Sequence, residues 1–371
     1  MNIAMLYNIH CAMLAGLLIL APTTPASAGP AQAAWERPAP AVSRIDRAAL
    51  LGITAAGKRM VAVGERGLVA YSDDDGRTWS QARTPVSVTL TKAFFVSSST
   101  GWAVGHGGVI LRTDDSGATW VKQLDGIQAA RLAAEKYVHN STDPAFRRLA
   151  AAASQLESDG ADKPFFDVVF LDAERGLAIG AYGLAFRTED GGRRWEPALE
   201  SLENPRGFHL YALARIGTAV IIVGEQGLLL KSTDGGRRFG AIPSPYKGSY
   251  FGAISLEGGD LYVFGLRGSV FRSTDQGGSW ARLETPTAGS LNSAAALSGT
   301  TAAFTSQEGQ VLVGTSSATA LRIAPGIAPA AYTAIARTAG GAWMLTGLRG
   351  PVRIDPTRLS GAAGAPLQES K

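Results

Sequence analysis

Carboxylates at fixed spacing are the first place to look for chemistry in this chain. Asp74, Asp115, Asp190, Asp234 and Asp275 each stand in a Ser/Thr-x-Asp-x-Gly string, and five residues on from each comes Trp79, Trp120, Trp195, Phe239 or Trp280. The run Ser72-Asp73-Asp74-Asp75-Gly76 has the look of a calcium loop. Such a loop needs helical flanks and a distant bidentate Glu. Both are missing, so no metal is expected. A turn offers the better reading. The Asp carboxylate accepts hydrogen bonds from nearby backbone N–H groups, the Gly supplies positive φ, and the aromatic ring buries a large area between neighbouring sheets. These ten residues are read as structural. The acids outside the strings, among them Asp167, Asp172, Glu200, Glu203 and Glu257, show no spacing that singles out an opposed pair for glycoside hydrolysis. The four histidines are scattered and Cys11 is the only cysteine. No phosphate loop, nucleotide fingerprint, zinc spacing or nucleophile elbow is present. No catalytic residue and no cofactor is expected.

A second group of residues suits recognition rather than catalysis. Ahead of each Asp string, and twice more after the last of them where the Asp and the Trp are lost, stands a G-x-x-G turn whose middle residues need not pack. They read Glu65-Arg66, His106-Gly107, Ala181-Tyr182, Glu225-Gln226, Leu266-Arg267, Gln307-Glu308 and Leu348-Arg349, with Ser306 replacing the first Gly in the sixth turn. Loops expected on the same side add Arg83, Arg206, His209, Tyr246, Lys247 and Tyr250. Arg and Tyr are enriched where proteins meet proteins. Arg66, His106, Tyr182, Arg206, Lys247, Arg267 and Arg349 are therefore the candidate partner-binding residues, against the plainer reading of a solvated rim. A net charge of +4 is too small for a polybasic nucleic-acid binder.

The elements that position these groups follow from the repeat. The turns begin at 64, 105, 180, 224, 265, 306 and 347, giving intervals of 41, 75, 44, 41, 41 and 41 residues. A period near 40 with about four short strands per unit predicts a β-propeller, here all-β and seven-bladed over residues 33–358. The last unit lacks an aromatic-bearing fourth strand. Residues 33–37, whose Trp35-Glu36 echoes Trp195-Glu196, are expected to supply it and close the ring; a linker is the alternative. The long interval holds an insertion, 126–160, read as a helical hairpin. Ile127, Ala130, Ala134, Tyr137 and Val138 share one apolar face, and Phe146, Leu149, Ala150, Ala153 and Leu156 share the other. Asp143 precedes Pro144 as a helix start. Residues 1–28 read as a signal peptide ending in Ala26-Ser27-Ala28, so export and no membrane span after cleavage are expected. Residues 359–371 read as a disordered tail.

The unit as a whole resembles the BNR, or Asp-box, propellers, which include sialidases, sortilin-type receptors and the photosystem II stability/assembly factor family. The stretch Ala93 to Trp120 (AFFVSSSTGWAVGHGGVILRTDDSGATW) is most similar to the last of these. That resemblance implies a non-enzymatic, exported assembly factor in the periplasm or thylakoid lumen. Its partner would be a membrane protein, the photosystem II reaction centre in a phototroph or another envelope complex elsewhere. An arginine-rich surface belongs to the family's picture, and Arg66, Arg267 and Arg349 match it by position in the unit. The alternative is a glycoside hydrolase or carbohydrate-binding propeller of the sialidase type. The sialidase Arg-Ile-Pro string is absent, the nearest being Arg44-Ile45-Asp46.

Overall fold

The computed structural model describes residues 32–138 and 144–359. The expected signal, Cys11, Asp143 and the tail beyond 359 lie outside the described residues. Seven antiparallel sheets follow one another along the chain. Blade one is Leu50–Ala56, Arg59–Gly64, Val69–Ser72 and Ser80–Gln81; blade two is Leu90–Phe95, Gly101–Gly105, Ile110–Thr113 and Val121–Leu124. Blade three is Phe165–Phe170, Gly176–Gly180, Ala185–Thr188 and Glu196–Pro197; blade four is Leu210–Ile216, Ala219–Gly224, Leu229–Ser232 and Gly240–Ala241. Blade five is Tyr250–Ser255, Leu261–Gly265, Val270–Ser273 and Ala281–Leu283; blade six is Leu291–Ser298, Thr301–Ser306, Val311–Thr315 and Arg322–Ile323. Blade seven has three strands, Tyr332–Arg337, Trp343–Gly347 and Val352–Ile354. The first strands adjoin one another around the ring, that of blade seven against that of blade one.

The second strands are buried almost end to end, as in Ala219–Gly224. Each is covered by a neighbouring blade on both faces, which is why these strands read as apolar runs rather than as alternation. The core is a set of layers between blades. Val61 and Val63 of blade one meet Leu90, Ala103, Leu111 and Trp120 of blade two in one such layer. Trp102 stacks on Phe170 across the next seam, with ring centroids 3.4 Å apart. A basic residue on the third strand, one place before the Ser or Thr of the Asp string, ties several seams. Arg112 donates to Gly191 O at 2.7 Å and Lys231 to Gln276 O at 2.8 Å, each reaching the turn of the following blade.

Closure departs from the sequence expectation. Residues 33–37 do not join blade seven. Glu36 and Arg37 both donate to Ala33 O, so the segment is a turn with no free edge to offer, and Pro38 and Pro40 lack the N–H groups a ladder needs. Ser87 donates to Ala34 O and Ala39 to Thr84 O, which seats the segment on the loop between blades one and two. Trp35 packs half-buried against the layer of those two blades. Blade seven instead meets blade one face to face through Met344, Ala334, Leu50 and Met60. Thr333 Oγ1 donates to Leu50 O at 2.6 Å, and the Arg353 guanidinium pairs with Asp75 at 2.8 Å. On the other side of blade seven, Leu359 is buried among Tyr332, Ile335, Trp343 and Ile354 of that blade and Ala303, Val311 and Val313 of blade six. It occupies the place a fourth-strand aromatic would fill, so residue 359 belongs to the propeller rather than to a tail.

The insertion forms two helices, α1 (Gly126–Tyr137) and α2 (Pro144–Asp159), which pack on each other. Asp125 accepts from Gln128 N while the Gln128 side chain accepts from Asp125 N, a reciprocal cap. The buried face of α1 is Ala129, Ala130, Ala133 and Tyr137, while Ile127 and Val138 are exposed. The expected face was thus rotated. The small residues let α1 lie close on the outer strand of blade three, a contact the larger Ile127 would hold apart. Lys136 donates to Pro197 O and pairs with Glu200, and the Tyr137 hydroxyl donates to Glu200, so α1 is bolted to the sheet.

Candidate functional site

The G-x-x-G turns connect second to third strands, on the same end of the ring as the blade-to-blade loops. Their two ends have separate steric reasons. The first Gly pairs with the opening residue of its blade's first strand, and a Cβ on Gly64 would lie 2.1 Å from Ala49 O. The last Gly lies against the loop to the next blade: a Cβ on Gly227, at φ +80°, would lie 2.0 Å from Tyr246 O. The close approach at the first place leaves room for a bulge in every first strand. The pairing skips Leu51, Thr91, Phe166, Tyr211, Phe251, Asn292 and Thr333, one in each blade. A bulge re-aims the extra side chain. All seven line one cavity of about 150 Å³ on the ring's axis.

The second middle residue of four turns has left-handed backbone: Arg66 at φ 55°, Tyr182 at 56°, Gln226 at 52° and Arg267 at 56°. That conformation disfavours a residue with a Cβ by about 1–2 kcal/mol. Gly107 holds the same place in blade two and shows that Gly satisfies the turn. Gln226→Gly is therefore expected to stabilise the protein by about 0.5–1 kcal/mol, read from denaturant midpoints. No gain would mean that the turn is not strained.

All seven candidate partner-binding residues lie on this end of the ring. Arg66, His106, Tyr182, Arg267 and Arg349 are in the turns, and Arg206 and Lys247 are in the loops out of blades three and four; five of the seven are Arg or Lys, and all are exposed. They fall in two arcs, Arg349 and Arg66 on adjoining blades seven and one, and Arg206, Lys247 and Arg267 on blades three to five. Among the described residues Arg66, Arg206, Lys247, Arg267 and Arg349 make no ion pair; Arg206 lies 4.5 Å over the Phe208 ring. Tyr182 is 62% exposed, and Lys163 Nζ sits 4.7 Å over its ring. Its backbone N–H donates to His209 Nδ1 at 3.0 Å.

Sequence reasoning missed the aromatic row that continues inward. Tyr182 meets His209 at 4.6 Å, His209 meets Tyr211 at 6.0 Å, and Tyr211 meets Phe251 at 5.2 Å and Phe166 at 5.5 Å, between ring centroids. The available signal was the residue after the first apolar position of each first strand, which turns aromatic in blades three, four and five only. Beneath the row, Asp167 is buried and accepts from Val168 N and Leu213 N, both at 2.8 Å. Burial holds its carboxyl above the usual range, against the pull of Lys92.

The Asp strings occupy the opposite end, in the hairpins between third and fourth strands. Asp74 Oδ1 accepts from Ser72 Oγ, Arg77 N and Thr78 N, and Oδ2 from Thr78 Oγ at 2.6 Å. Asp115, Asp190, Asp234 and Asp275 repeat the set in part or in full. The Ser279 hydroxyl and N–H lower the Asp275 carboxyl to about 2. Trp120, Trp195 and Phe239 are buried between blades, Trp79 and Trp280 partly so. Asp75 faces Arg353 rather than a cation site. Among the described residues no group of His, Cys, Asp or Glu is placed to hold a metal.

Comparison with known proteins fits this architecture. Residues 151–249 match the sequence model of a family described as photosynthesis system II assembly factor YCF48. A curated relative, the photosystem II assembly lipoprotein Ycf48 of Synechococcus sp. (strain CC9902), is 34% identical over 73 residues, 20% of this chain and 22% of the relative. The match thus spans under a quarter of that protein's length. Among solved structures, YCF48 from Cyanidioschyzon merolae gives a TM-score of 0.62 at 15% identity, covering 87% of this chain and 99% of that one. A structure titled "YCF48 bound to D1 peptide" gives 0.59 at 14%, covering 82% and 91%. A virginiamycin B lyase from Staphylococcus aureus gives 0.61 at 12%, covering 82% and 94%, so the fold by itself does not select a function. The chain is similar, in sequence over blades three and four and in fold over the whole ring, to the photosystem II stability/assembly factor-like family of Asp-box seven-bladed propellers.

Proposed function

We propose that this chain is a non-enzymatic, exported scaffold that binds a protein partner through the G-x-x-G end of its ring. The observation that carries this reading is where the family match falls. Residues 151–249 include Tyr182, Arg206 and Lys247, so the segment that resembles assembly factors also carries two of the three cations of one arc of that end. The partner is a membrane protein or an envelope complex, and in a phototroph the photosystem II reaction centre. A propeller of the same fold is titled as bound to a D1 peptide, which supports a polypeptide as ligand. Among the described residues no helix is long and apolar enough to cross a membrane.

The chemistry of the acids supports binding over catalysis. Asp167 spends both oxygens on backbone N–H groups. Asp172 holds Glu174 N, Arg175 N and the Arg175 guanidinium, Glu200 holds Lys136 and Tyr137, and Glu203 holds Ala241 N. Carboxylates committed in this way are poor general acids or nucleophiles. The test is a cross-linked pull-down from source membranes with the full chain. Replacing Arg66, Arg267 and Arg349 together by Ala is expected to abolish capture of the partner with the melting temperature unchanged, because all three are exposed and make no ion pair among the described residues. Undiminished capture would remove the turn arginines from the binding surface. Turnover of sialoside or β-glucan substrates would replace the reading with a hydrolase.

A further inference from the structure

We infer that the aromatic row on blades three to five is a binding slot for an extended apolar polypeptide segment flanked by carboxylates, separate from the arginine turns. The inference rests on the reading of the chain as a protein-binding scaffold and specifies where and what it binds. The argument starts from what the fold asks of the bulge position. In three blades it is a polar tie to the next blade. Thr91 Oγ1 donates to Phe165 O at 2.9 Å, Asn292 Nδ2 to Tyr332 O at 3.2 Å, and Thr333 Oγ1 to Leu50 O at 2.6 Å. A structural role in a repeat should recur with the repeat. Leu51 of blade one is apolar and makes no such tie, and Phe166, Tyr211 and Phe251 abandon it in three consecutive blades, where they place half-buried rings at the cavity mouth instead.

The shape and charge of the row point to the occupant. From Tyr182 through His209 and Tyr211 to Phe251 the steps of 4.6, 6.0 and 5.2 Å make a track for about five residues of extended chain. Its outer end opens on a cavity of about 350 Å³ between α2 and blade three, lined by Leu156, Leu184, Leu199 and Tyr182. Tyr182 and His209 meet at 64° and Tyr211 and Phe251 at 79°, while Tyr211 is tilted 38° to His209 and stacks on Phe166 at 28°. The edge-to-face steps at both ends of the track form walls for apolar side chains, whereas a sugar needs a flat platform and free carboxylates. Asp167, the carboxylate lining the mouth, is already committed. Lys163, over the Tyr182 ring, is shared by Asp159 and Asp162, and Asp167 beneath the row is spent on backbone N–H groups. That leaves Arg206, over the Phe208 ring next to His209, and the exposed Lys92 against Glu225 at His209 N, a positive balance that suits acidic flanks.

The test borrows substitutions the repeat itself tolerates: Phe166→Thr, Tyr211→Thr and Phe251→Asn, combined in the full chain. Peptides selected from a phage-displayed random dodecapeptide library on the wild-type chain are labelled and titrated by fluorescence anisotropy. They are expected to be rich in aromatic and aliphatic residues with Asp or Glu alongside, and to bind the triple variant roughly 30-fold more weakly. The melting temperature should hold, since Thr and Asn restore the tie. Selected peptides that bind the variant as well as wild type would overturn the slot, as would basic or purely polar selections, or maltohexaose binding lost with the same substitutions. A slot that fails in this way leaves the arginine pull-down standing, and the reverse result leaves the slot standing, so the two failures are distinguishable.

Discussion

Gly227→Ala is expected to destabilise the protein by about 3 kcal/mol or more, measured by guanidinium unfolding followed through tryptophan fluorescence. Two costs act together. At φ +80° the added methyl group enters a region that disfavours a Cβ by about 1–2 kcal/mol. It would also lie 2.0 Å from Tyr246 O, a backbone atom that cannot rotate away. Relief requires the loop from blade four to blade five to move, and that loop carries Lys247. The same variant should therefore weaken partner capture as well as stability. The neighbouring Gln226→Gly change is expected to act with the opposite sign. A pair of adjacent substitutions that move stability in opposite directions tests the turn geometry independently of any partner. A loss under about 0.5 kcal/mol for Gly227→Ala would show that the loop gives way freely.

The ring was legible because its parts repeat. Seven turns at nearly constant spacing identify a propeller before any strand is assigned, and the Asp strings mark which hairpin is which. What did not repeat was harder to read. Trp35 sits in a string that copies a fourth strand, yet the copy is too short to outweigh two prolines and a turn at Ala33. Leu359 replaced the missing aromatic without any motif, through a contact between blades six and seven that no local pattern encodes. The α1 face was misjudged because hydrophobic periodicity favours Ile127, while close packing on blade three favours alanine. On the functional end, the turn residues were visible as the variable places of a constant frame. The row at the cavity mouth was not, because it depends on a bulge. A bulge shifts the inside-outside register of a strand, so Phe166, Tyr211 and Phe251 read as ordinary alternating strand residues until the pairing is known.

The seam between blades seven and one carries the last expectation. With no shared strand there among the described residues, closure rests on apolar packing, on the hydrogen bonds from Thr333 Oγ1 to Leu50 O and from Gly350 N to Ala48 O, and on Asp75. Its Oδ1 accepts from Gly340 N at 3.1 Å, its Oδ2 from Arg353 Nη2 at 2.8 Å, and its own carbonyl from Arg353 Nε at 3.0 Å. The side chains of Asp75 and Arg353 are 18% and 33% exposed, so the pair is partly shielded from water and salt. Asp75→Asn should cost about 2 kcal/mol, the scale for a charge-assisted hydrogen bond whose partner is left behind. The loss should localise: hydrogen exchange should quicken in Trp343–Gly347 and Leu50–Ala56 before it does in blades three and four. The pH dependence has a definite sign. The Thr338 hydroxyl, which faces Asp75 without reaching hydrogen-bond geometry there or with any other described residue, and then the Arg353 guanidinium hold the Asp75 carboxyl below its ordinary value of 3.8. A carboxyl lowered by folding contributes stability that is fully present above the unfolded value and is lost as pH falls through the folded one. The carboxyls of the Asp strings are lowered too and give wild type an acid limb of their own, so the informative quantity is the difference between wild type and Asp75→Asn. That gap should be full above about pH 5 and close progressively below 3.8. A gap that stays constant down to about pH 2 would mean that the ring is closed without help from the Asp75 charge, with the ion pair a passenger at the seam.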